Sequence, residues 1–253
     1  MPLSDDVLLR TEDLTKSFAG FVAVKGVSLD VKRGSIHALI GPNGAGKTTY
    51  FNLLSRFLSV TSGRIYFKGR DITGARAHDV ARQGLVRSFQ ISAVFPHLTV
   101  LENVRIALQR FRGDNYFFWR AGAALNGLDA RARELLAEVG LEAHGSLAAG
   151  ELPYGRKRAL ELATTLALEP ELMLLDEPTA GMGSEDIGRI VELIRRVAKD
   201  RTVLMVEHNL SVVADLSHRI TVMQHGSVLA DGSYQEVSRD PAVIEAYMGT
   251  GLA

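Results

Sequence analysis

The amino-acid sequence predicts an α/β fold with a mostly parallel sheet, an N-terminal antiparallel β subdomain and an inserted α-helical subdomain. Residues 7–31 alternate apolar and polar positions, which is typical of antiparallel strands. Apolar residues recur at helical spacing between about 98 and 165. Short apolar runs typical of buried strands lie elsewhere along the chain, at 36–40, 172–175, 202–206 and 220–223. Because helical segments separate several of these strands, a parallel sheet covered by helices is favoured.

The individual elements follow in chain order. Gly20 and Gly26 supply turns within the first antiparallel strands. The first buried strand leads into a glycine-rich loop, after which a helix is predicted over residues 48–58. Residues 63–69 are expected to form an edge strand, and a helix at about 185–199 connects two of the later strands.

The composition excludes several classes of protein. With 253 residues, the chain is long enough for one large domain with a subdomain. Lys and Arg total 29, as do Asp and Glu, so the basic excess of a general nucleic-acid binder is absent and no nucleic-acid partner is expected. The chain has no cysteine, which excludes disulfides, thiolate metal sites and cysteine nucleophiles.

The N-terminal segment and the hydropathy pattern bear on membrane association. Asp5 and Asp6 stand near the start of the chain without an adjacent apolar core, which is not the pattern of a secretory signal. No apolar run reaches the roughly 18 residues that a spanning helix needs. If the protein takes part in transport, another chain is expected to supply the membrane-spanning part.

Residues 41–48, Gly-Pro-Asn-Gly-Ala-Gly-Lys-Thr, match the phosphate-binding pattern G-x-x-x-x-G-K-[ST] between a strand and a helix. The glycines allow backbone N–H groups to turn towards phosphates, and the helix N-terminus favours the same anion. Lys47 supplies a charge to the outer phosphates, and the hydroxyl of Thr48 is suited to Mg²⁺. The pattern predicts a nucleoside-triphosphate site; a purely structural glycine-rich turn is the alternative.

Two acids, Asp176 and Glu177, end the apolar strand that starts at Leu172. A strand of this kind delivers both carboxylates to the sheet edge where the phosphate loop is expected. Asp176 suits Mg²⁺ binding, directly or through water, and Glu177 suits a general base that polarises the attacking water. Considered alone, the pair favours a solvated strand end, because many strands end in acids; the preceding phosphate loop favours the catalytic interpretation.

The segment Asp176-Glu177-Pro178-Thr179 resembles the Walker B motif of the ABC ATPases, and nearly the whole chain follows that family's order of motifs. Considered singly, Gln90 and His208 are more typical of surface residues or of residues with satisfied hydrogen bonds, and Phe18 of a core residue; their order and spacing favour the family. The matching motifs are the adenine-stacking aromatic at Phe18, the Q-loop at Ser88-Phe89-Gln90, the signature motif at Leu152–Arg158, the D-loop at Ala180-Gly181-Met182-Gly183 and the switch histidine His208.

The resemblance implies ATP and Mg²⁺ as cofactors and assigns the site residues. The residues implied to bind ATP are Phe18, Asn43, Gly44, Ala45, Gly46, Lys47, Thr48, Thr49 and Asp176, joined from a second subunit by Tyr154, Gly155 and Arg156. The residues implied to hold Mg²⁺, partly through water, are Thr48, Gln90 and Asp176. The residues implied to be catalytic are Glu177, His208 and Gln90.

The signature motif departs from the family pattern Leu-Ser-Gly-Gly-Gln. Pro153 stands at the serine position, Tyr154 at the first glycine and Arg156 at the glutamine, so only Leu152 and Gly155 remain. Proline lacks both hydroxyl and N–H but suits the first turn of a helix. We expect the Gly155 N–H, the helix dipole and Arg156 to contact the nucleotide instead, with weaker or altered dimerisation.

Two further features of these motifs limit the analogy. Arg156, Lys157 and Arg158 are also compatible with a solvated helix face. In the D-loop, Gly183 stands where aspartate is common, which puts the usual contact across the dimer in doubt.

Several segments resemble the branched-chain amino-acid uptake type of ABC ATPase, which includes urea and amide relatives. They are Leu-x-Tyr-Gly in the signature motif, Arg87–Gln90 followed by Phe95–Val104, a longer insertion at about 109–130 and the ending Ala246-Tyr247-Met248-Gly249. The resemblance implies a homo- or heterodimer of ATPase subunits, two membrane permease subunits and, indirectly, a solute-binding protein. It also implies a peripheral location at the cytoplasmic face of the inner or plasma membrane.

The whole chain is predicted to form a single ABC ATPase domain. We expect residues 1–90 and 160–235 to form the nucleotide-binding core with its antiparallel β subdomain. We expect residues 91–159 to form the helical subdomain with the signature loop, and residues 236–253 to form a C-terminal tail. The aromatic run 116–119 within the insertion either packs inside the helical subdomain, which is favoured, or docks on a membrane partner or lipid headgroups.

Other functions remain as alternatives. One is a related exporter, such as an ATPase of the lipopolysaccharide type, which co-purification with its membrane partners would distinguish. Soluble ABC ATPases of translation or DNA repair usually have two ATPase units or long coiled arms, and this chain has one phosphate loop and no heptad run. Adjacent Asp176 and Glu177, with Gln90 and His208, argue against a small-molecule kinase.

Overall fold

The computed structural model describes residues 6–88, 94–109 and 121–248, with only the backbone described for 121–127 and 248. The chain divides into two compact units. The first unit comprises the residues up to Arg87, Glu171–Pro178 and those from Ala198 onwards; the second comprises Ser88–Pro170 and Thr179–Val197.

Ten strands and nine helices occupy the described ranges, with single 3-10 turns at Glu142–His144 and Ala149–Glu151. In chain order they are β1 (Val7–Phe18), β2 (Phe21–Lys32), β3 (Ile36–Ile40), α1 (Lys47–Leu54), β4 (Ser62–Phe67), β5 (Arg70–Asp71), α2 (Ala77–Arg82), β6 (Leu85–Ser88), α3 (Val100–Gln109), α4 (Ala121–Glu138), α5 (Tyr154–Leu166), β7 (Leu172–Asp176), α6 (Ser184–Val197), β8 (Thr202–Val206), α7 (Leu210–Leu216), β9 (Arg219–Gln224), β10 (Ser227–Gly232), α8 (Tyr234–Val237) and α9 (Pro241–Met248).

The first unit contains an antiparallel sheet with strand order β2-β1-β4-β5. Strands β1 and β2 form a hairpin that closes at the pair Phe18 and Phe21. The two residues between them, Ala19 and Gly20, both have positive φ, which suits a tight hairpin turn. Strand β4 lies between β1 and the two-residue strand β5, so the expectation of an edge strand at 63–69 is wrong.

A six-stranded sheet with order β10-β9-β3-β8-β7-β6 forms the centre of the first unit. Strands β3, β7, β8 and β9 run parallel to one another, and β10 pairs antiparallel with β9. Every residue of β3, β7 and β8 is buried, which agrees with their mostly apolar sequences. The parallel arrangement brings the carboxyl ends of these three strands to the same edge of the sheet. The predicted fold class is confirmed.

Helix α1 ends earlier than the predicted residue 58. It stops at Leu54 because Arg56 adopts φ +61° and reverses the chain. The hydroxyl of Ser55 donates to the carbonyl of Phe51 at 2.8 Å and satisfies one of the terminal helix acceptors. A polar residue and a left-handed backbone therefore terminate a helix that the apolar periodicity alone would extend.

The second unit is built from α3, α4, α5 and α6 around a small apolar core that includes Val104, Leu135 and Leu160. Helix α6 buries one apolar face, with acids in its first turn and arginines in its last turn, as its dipole favours. This unit includes residues 160–170 and 179–197, whereas the sequence placed the end of the helical subdomain at 159. The motif-based domain limits stay a prediction. Within the described ranges, no helix combines the length and apolarity required to cross a membrane.

Candidate functional site

The loop between β3 and α1 depends on glycines at two close approaches. A Cβ atom on Gly41 would lie 2.1 Å from the carbonyl oxygen of Met223, and one on Gly46 would lie 2.4 Å from that of Ala23. Both glycines have positive φ, +145° and +98°. Gly44, at φ +79°, faces open space. The loop therefore lies tightly on the sheet edge while its outer backbone stays accessible at the N-terminus of α1.

Lys47, the first residue of α1, folds back over this loop. Its ammonium donates to the carbonyl oxygens of Gly41 at 2.6 Å and Pro42 at 3.0 Å. Burial lowers the pKa of Lys47, and the carboxylates of Glu177 and Asp176 oppose this effect. The side chain is thus held at the loop beside two acids.

A cavity of about 300 Å³ opens beside the loop and joins most of the predicted site residues. His208 and Glu177 line the same cavity as the phosphate loop, although both residues lie far from that loop in the sequence. The cavity is lined by Phe21, Ala23, Asn43, Gly44, Ala45, Gly46, Lys47, Thr48, Thr49, Glu177 and His208. The predicted Gln90 lies outside the described residues, and Asp176, with 4% of its surface exposed, is absent from the cavity lining.

Glu177 and His208 form a side-chain pair at the end of the sheet. The Nε2 atom of His208 lies 2.7 Å from Oε1 of Glu177. Glu177 adopts φ +47°, uncommon for a residue with a side chain, and its backbone N–H donates to the carbonyl of Val206 at 2.9 Å. The backbone turn after β7 and the register with β8 therefore aim the carboxylate at the histidine.

Glu207 is a site residue that the sequence analysis missed. Its carboxylate is buried and accepts hydrogen bonds from the backbone N–H groups of His208 at 2.8 Å and Asn209 at 3.0 Å. Asn209 in turn caps α7 by accepting from Ser211 and Val212. Glu207 thus shapes the turn that carries His208. An acid directly after the apolar strand 202–206 was the available signal.

Two aromatics stand at the tip of the β1–β2 hairpin. Phe21 is 70% exposed and lines the cavity, whereas Phe18, which the resemblance singled out, is 43% exposed and is absent from the lining. The ammonium of Lys16 lies 5.0 Å from the centre of the Phe18 ring. The hairpin pairs Phe18 directly with Phe21, so both rings remain candidates for contact with a base.

The C-terminal helix α9 also reaches the phosphate loop. Tyr247, which the sequence placed in a tail, hydrogen-bonds the backbone at Gly41. Burial raises the pKa of the Tyr247 hydroxyl, and this hydrogen bond opposes the shift.

The signature segment is described within the second unit. Pro153 is the N-cap of α5 and makes no side-chain cap. The hydroxyl of Tyr154 donates to the carbonyl of Ala180 at 3.1 Å, which ties the signature loop to the D-loop. A Cβ atom on Gly155 would lie 2.8 Å from the side-chain Cγ and Oδ1 atoms of Asp186, so a larger residue there would require the Asp186 side chain to turn away.

The basic run after Gly155 is only partly a solvated face. Arg156 is exposed, whereas Arg158 is buried and pairs with Glu161 at 2.6 Å. Arg158 therefore belongs to the packing of the helical unit, whereas Lys157 is half-buried and Arg156 is exposed near the start of α5.

The sequence matches the profile of the family described as ABC transporter over residues 24–180, which include the phosphate loop and the Asp176–Glu177 pair. The chain belongs to the ABC transporter family. As an ABC-type cassette it is an ATP hydrolase, and the predicted family and enzyme class are confirmed. Its residues 227–253 also match the profile of the branched-chain amino acid ATP-binding cassette transporter family.

Relatives of this ABC protein extend over nearly its whole length. The high-affinity branched-chain amino acid transport ATP-binding protein BraF of Pseudomonas aeruginosa is 37% identical, with 96% of this chain and 98% of the relative covered. LivG of Salmonella typhimurium, described in the same words, is 38% identical at the same coverage. A crystal structure of the ADP conformation of an ATP-binding cassette of an ABC transporter has a TM-score of 0.86 and 30% identity over 96% of this chain and 99% of that chain.

Proposed function

We propose that this chain is the ATP-binding and hydrolysing subunit of an ABC importer for branched-chain or related amino acids. The observation that carries the proposal is the match of residues 227–253 to the branched-chain family profile, on a chain 37–38% identical to BraF and LivG. The cavity that joins the phosphate loop to Glu177 and His208 supplies the chemistry. Urea and amides remain alternative cargo.

The phosphate loop and α1 are suited to hold the triphosphate. Backbone N–H groups around Gly44 and the N-terminus of α1 offer hydrogen bonds and a positive dipole end to an anion. On binding, Lys47 would exchange its loop carbonyls for phosphate oxygens, since its ammonium already lies at the loop. An aromatic ring of the hairpin tip, Phe18 or Phe21, would stack on the base.

The donor set fits Mg²⁺ bound together with a nucleotide. Thr48 offers an exposed hydroxyl and Asp176 a carboxylate, and the described residues contain no cluster of three or more Asp, Glu or His side chains suited to a metal. Mg²⁺ prefers oxygen ligands and commonly keeps waters and substrate phosphates in its coordination shell. The ion would supply positive charge to the outer phosphates. The predicted contribution of Gln90 stays a prediction.

Hydrolysis would use the pair Glu177 and His208. Glu177 would accept a proton from the water that attacks the γ-phosphorus, while the bond from phosphorus to the bridging oxygen breaks and ADP leaves. His208, 2.7 Å from that carboxylate, would orient it and hydrogen-bond the γ-phosphate. Glu207 would hold the His208 backbone in place.

The signature segment would act on the nucleotide of a second subunit. Pro153 offers no N–H or hydroxyl, so the start of α5 at Tyr154 and Gly155 and the exposed Arg156 would face the γ-phosphate. The hydrogen bond from the Tyr154 hydroxyl to the carbonyl of Ala180 would link this contact to the D-loop. The proposal also includes a closed dimer of ATPase subunits, two permease subunits and a solute-binding protein. It places the chain peripherally at the cytoplasmic face of the membrane.

The test combines the purified chain with its membrane partners in proteoliposomes. Permeases and a solute-binding protein encoded beside this chain would be co-reconstituted, and uptake of radiolabelled leucine would be measured with ATP inside the vesicles. Uptake that needs ATP and all components supports the proposal. ATP hydrolysis coupled to export, or to uptake of an unrelated solute alone, contradicts the importer assignment.

A further inference from the structure

Arg87 joins three elements of the nucleotide unit through one guanidinium group. One terminal nitrogen, Nη2, donates to Oδ2 of Asp176 at 2.6 Å, and the other, Nη1, donates to Oδ1 of Asn52 at 2.5 Å. The guanidinium carbon lies 5.9 Å from the centre of the Phe51 ring. Arg87 therefore connects β6 to β7 and to α1.

The ion pair of Arg87 and Asp176 is almost free of solvent. Their side chains are 11% and 4% exposed. A buried carboxylate needs a partner, and the planar fork of arginine fixes the orientation of an oxygen more strongly than a mobile ammonium does. Lys47 is a second cation near Asp176, and the Asp176 charge opposes the fall in the pKa of Lys47 that burial causes. Arg87 thus holds Oδ2 of Asp176 in a defined direction. The same contact also determines where Oδ1 of Asp176 lies.

The second arm of Arg87 acts on the helix that carries Thr48. Asn52 follows Thr48 by four residues, which is about one helical turn, so both side chains lie on one side of α1. The two hydrogen bonds of Arg87 consequently constrain the spacing between α1, with its hydroxyl ligand, and β7, with its carboxylate ligand.

We propose that Arg87 is a positioning residue that holds Asp176 and the Thr48 turn of α1 in the arrangement required for a divalent cation. The proposal rests on the proposed function, in which Thr48 and Asp176 hold Mg²⁺. Arg87 itself touches neither metal nor nucleotide. Partners that orient metal ligands commonly contribute 10- to 100-fold to metal affinity.

The experiment measures Mn²⁺, a spectroscopic substitute for Mg²⁺, by electron paramagnetic resonance on the full chain with ADP present. Arg87→Gln is expected to raise the half-saturating Mn²⁺ concentration by about 10- to 100-fold. Asn52→Ala keeps the ion pair of Arg87 with Asp176 but removes the hydrogen bond from Arg87 to α1. A smaller increase in the half-saturating Mn²⁺ concentration is therefore expected. Binding of a fluorescent ADP analogue in EDTA should not change, because the phosphate loop is intact.

Arg10→Gln provides the matched control. It breaks another 2.6 Å arginine–aspartate pair of the same unit, that of Arg10 with Asp30, and should leave the Mn²⁺ titration unchanged. Thermal melts report whether each variant is folded. If Arg87→Gln does not fold, Asn52→Ala decides the test. Unchanged Mn²⁺ affinity in that variant would then overturn the proposal.

Other results also overturn it. Equal Mn²⁺ affinity in folded Arg87→Gln and in the unaltered chain would make Arg87 a structural ion pair only, and tighter binding would make it a competitor of the metal. If the unaltered chain with bound ADP takes up no Mn²⁺, the proposed function of Thr48 and Asp176 is wrong, which is a different outcome from a failure of Arg87 alone.

Discussion

At the residue scale, the proposed chemistry depends on two side chains that follow neighbouring parallel strands. Asp176 at the end of β7 pairs in register with Val206 at the end of β8. Glu177 comes next on one strand, and His208 lies two residues beyond Val206 on the other. The left-handed backbone of Glu177 and the buried carboxylate of Glu207 then turn the two side chains to a separation of 2.7 Å. Sheet register therefore sets the distance between the proposed base and its partner.

Replacing Glu177 by Gln is expected to lower kcat for ATP hydrolysis by about 10²- to 10⁴-fold, because an amide cannot accept the proton of the attacking water. Nucleotide affinity should change little, since the phosphate loop is intact. Phosphate release under saturating ATP and binding of a fluorescent ATP analogue measure the two quantities.

The control for this prediction is Glu171→Gln, which removes a carboxylate that pairs with Arg33 and Lys68 at the surface of the same unit. Hydrolysis by that variant should stay close to normal. Near-normal turnover in Glu177→Gln would show that another group acts as the base.

At the element scale, α5 and α6 of the second unit approach closely near their N-termini. The contact is made by the backbone of Gly155 and the side chain of Asp186, and a Cβ atom at position 155 would fit only if that side chain moved. Tyr154 reinforces the same region by its hydrogen bond to Ala180. The start of α5 is therefore held by a side-chain contact at Gly155 and by the hydrogen bond of Tyr154.

Gly155→Ala is expected to destabilise the chain by at most about 1 kcal/mol, the low end of the overpacking range, because the end of the Asp186 side chain can turn away. The added methyl would lie 2.8 Å from Cγ and Oδ1 of Asp186. Thermal or urea unfolding measures the loss, and Asp186→Ala in the same chain should recover part of it because both of these atoms are removed.

Gly188→Ala is the matched control on α6. A Cβ atom there meets nothing within 4 Å, and alanine favours a helix over glycine, so stability should be unchanged or slightly higher. Equal stability of Gly155→Ala and the unaltered chain would show that the Asp186 side chain turns away from the added methyl at no cost.

At the scale of the whole molecule, the central sheet contains a histidine that must stay neutral. His37 of β3 is fully buried, and its Nε2 lies 2.8 Å from the hydroxyl of Thr221 on β9. Burial lowers the pKa of His37 to about 4; the charge of Asp231 opposes this shift and that of Arg219 adds to it. The unfolded chain therefore takes up a proton at this residue at higher pH than the folded chain does.

This difference predicts an acid-sensitive fold. As pH falls from about 6.5 towards 4, proton uptake by the unfolded state should remove up to about 3 kcal/mol of stability that is present above pH 6.5. Urea unfolding at several pH values measures the loss. His37→Gln has no titrating group and should show a smaller decrease over this range, whereas an identical decrease would exclude His37 as its source.

The sequence by itself determined the family, the fold class and most of the nucleotide cavity. These features depend on local patterns: a glycine-rich loop between strand and helix, and two acids after an apolar strand. The premature end of α1, the internal position of β4 and the contact of Tyr247 with Gly41 required the tertiary structure. So did the pairing of Arg87 with Asp176, 89 residues later in the chain. Such contacts depend on which elements the sheet order brings together, and no periodicity in the sequence encodes that order.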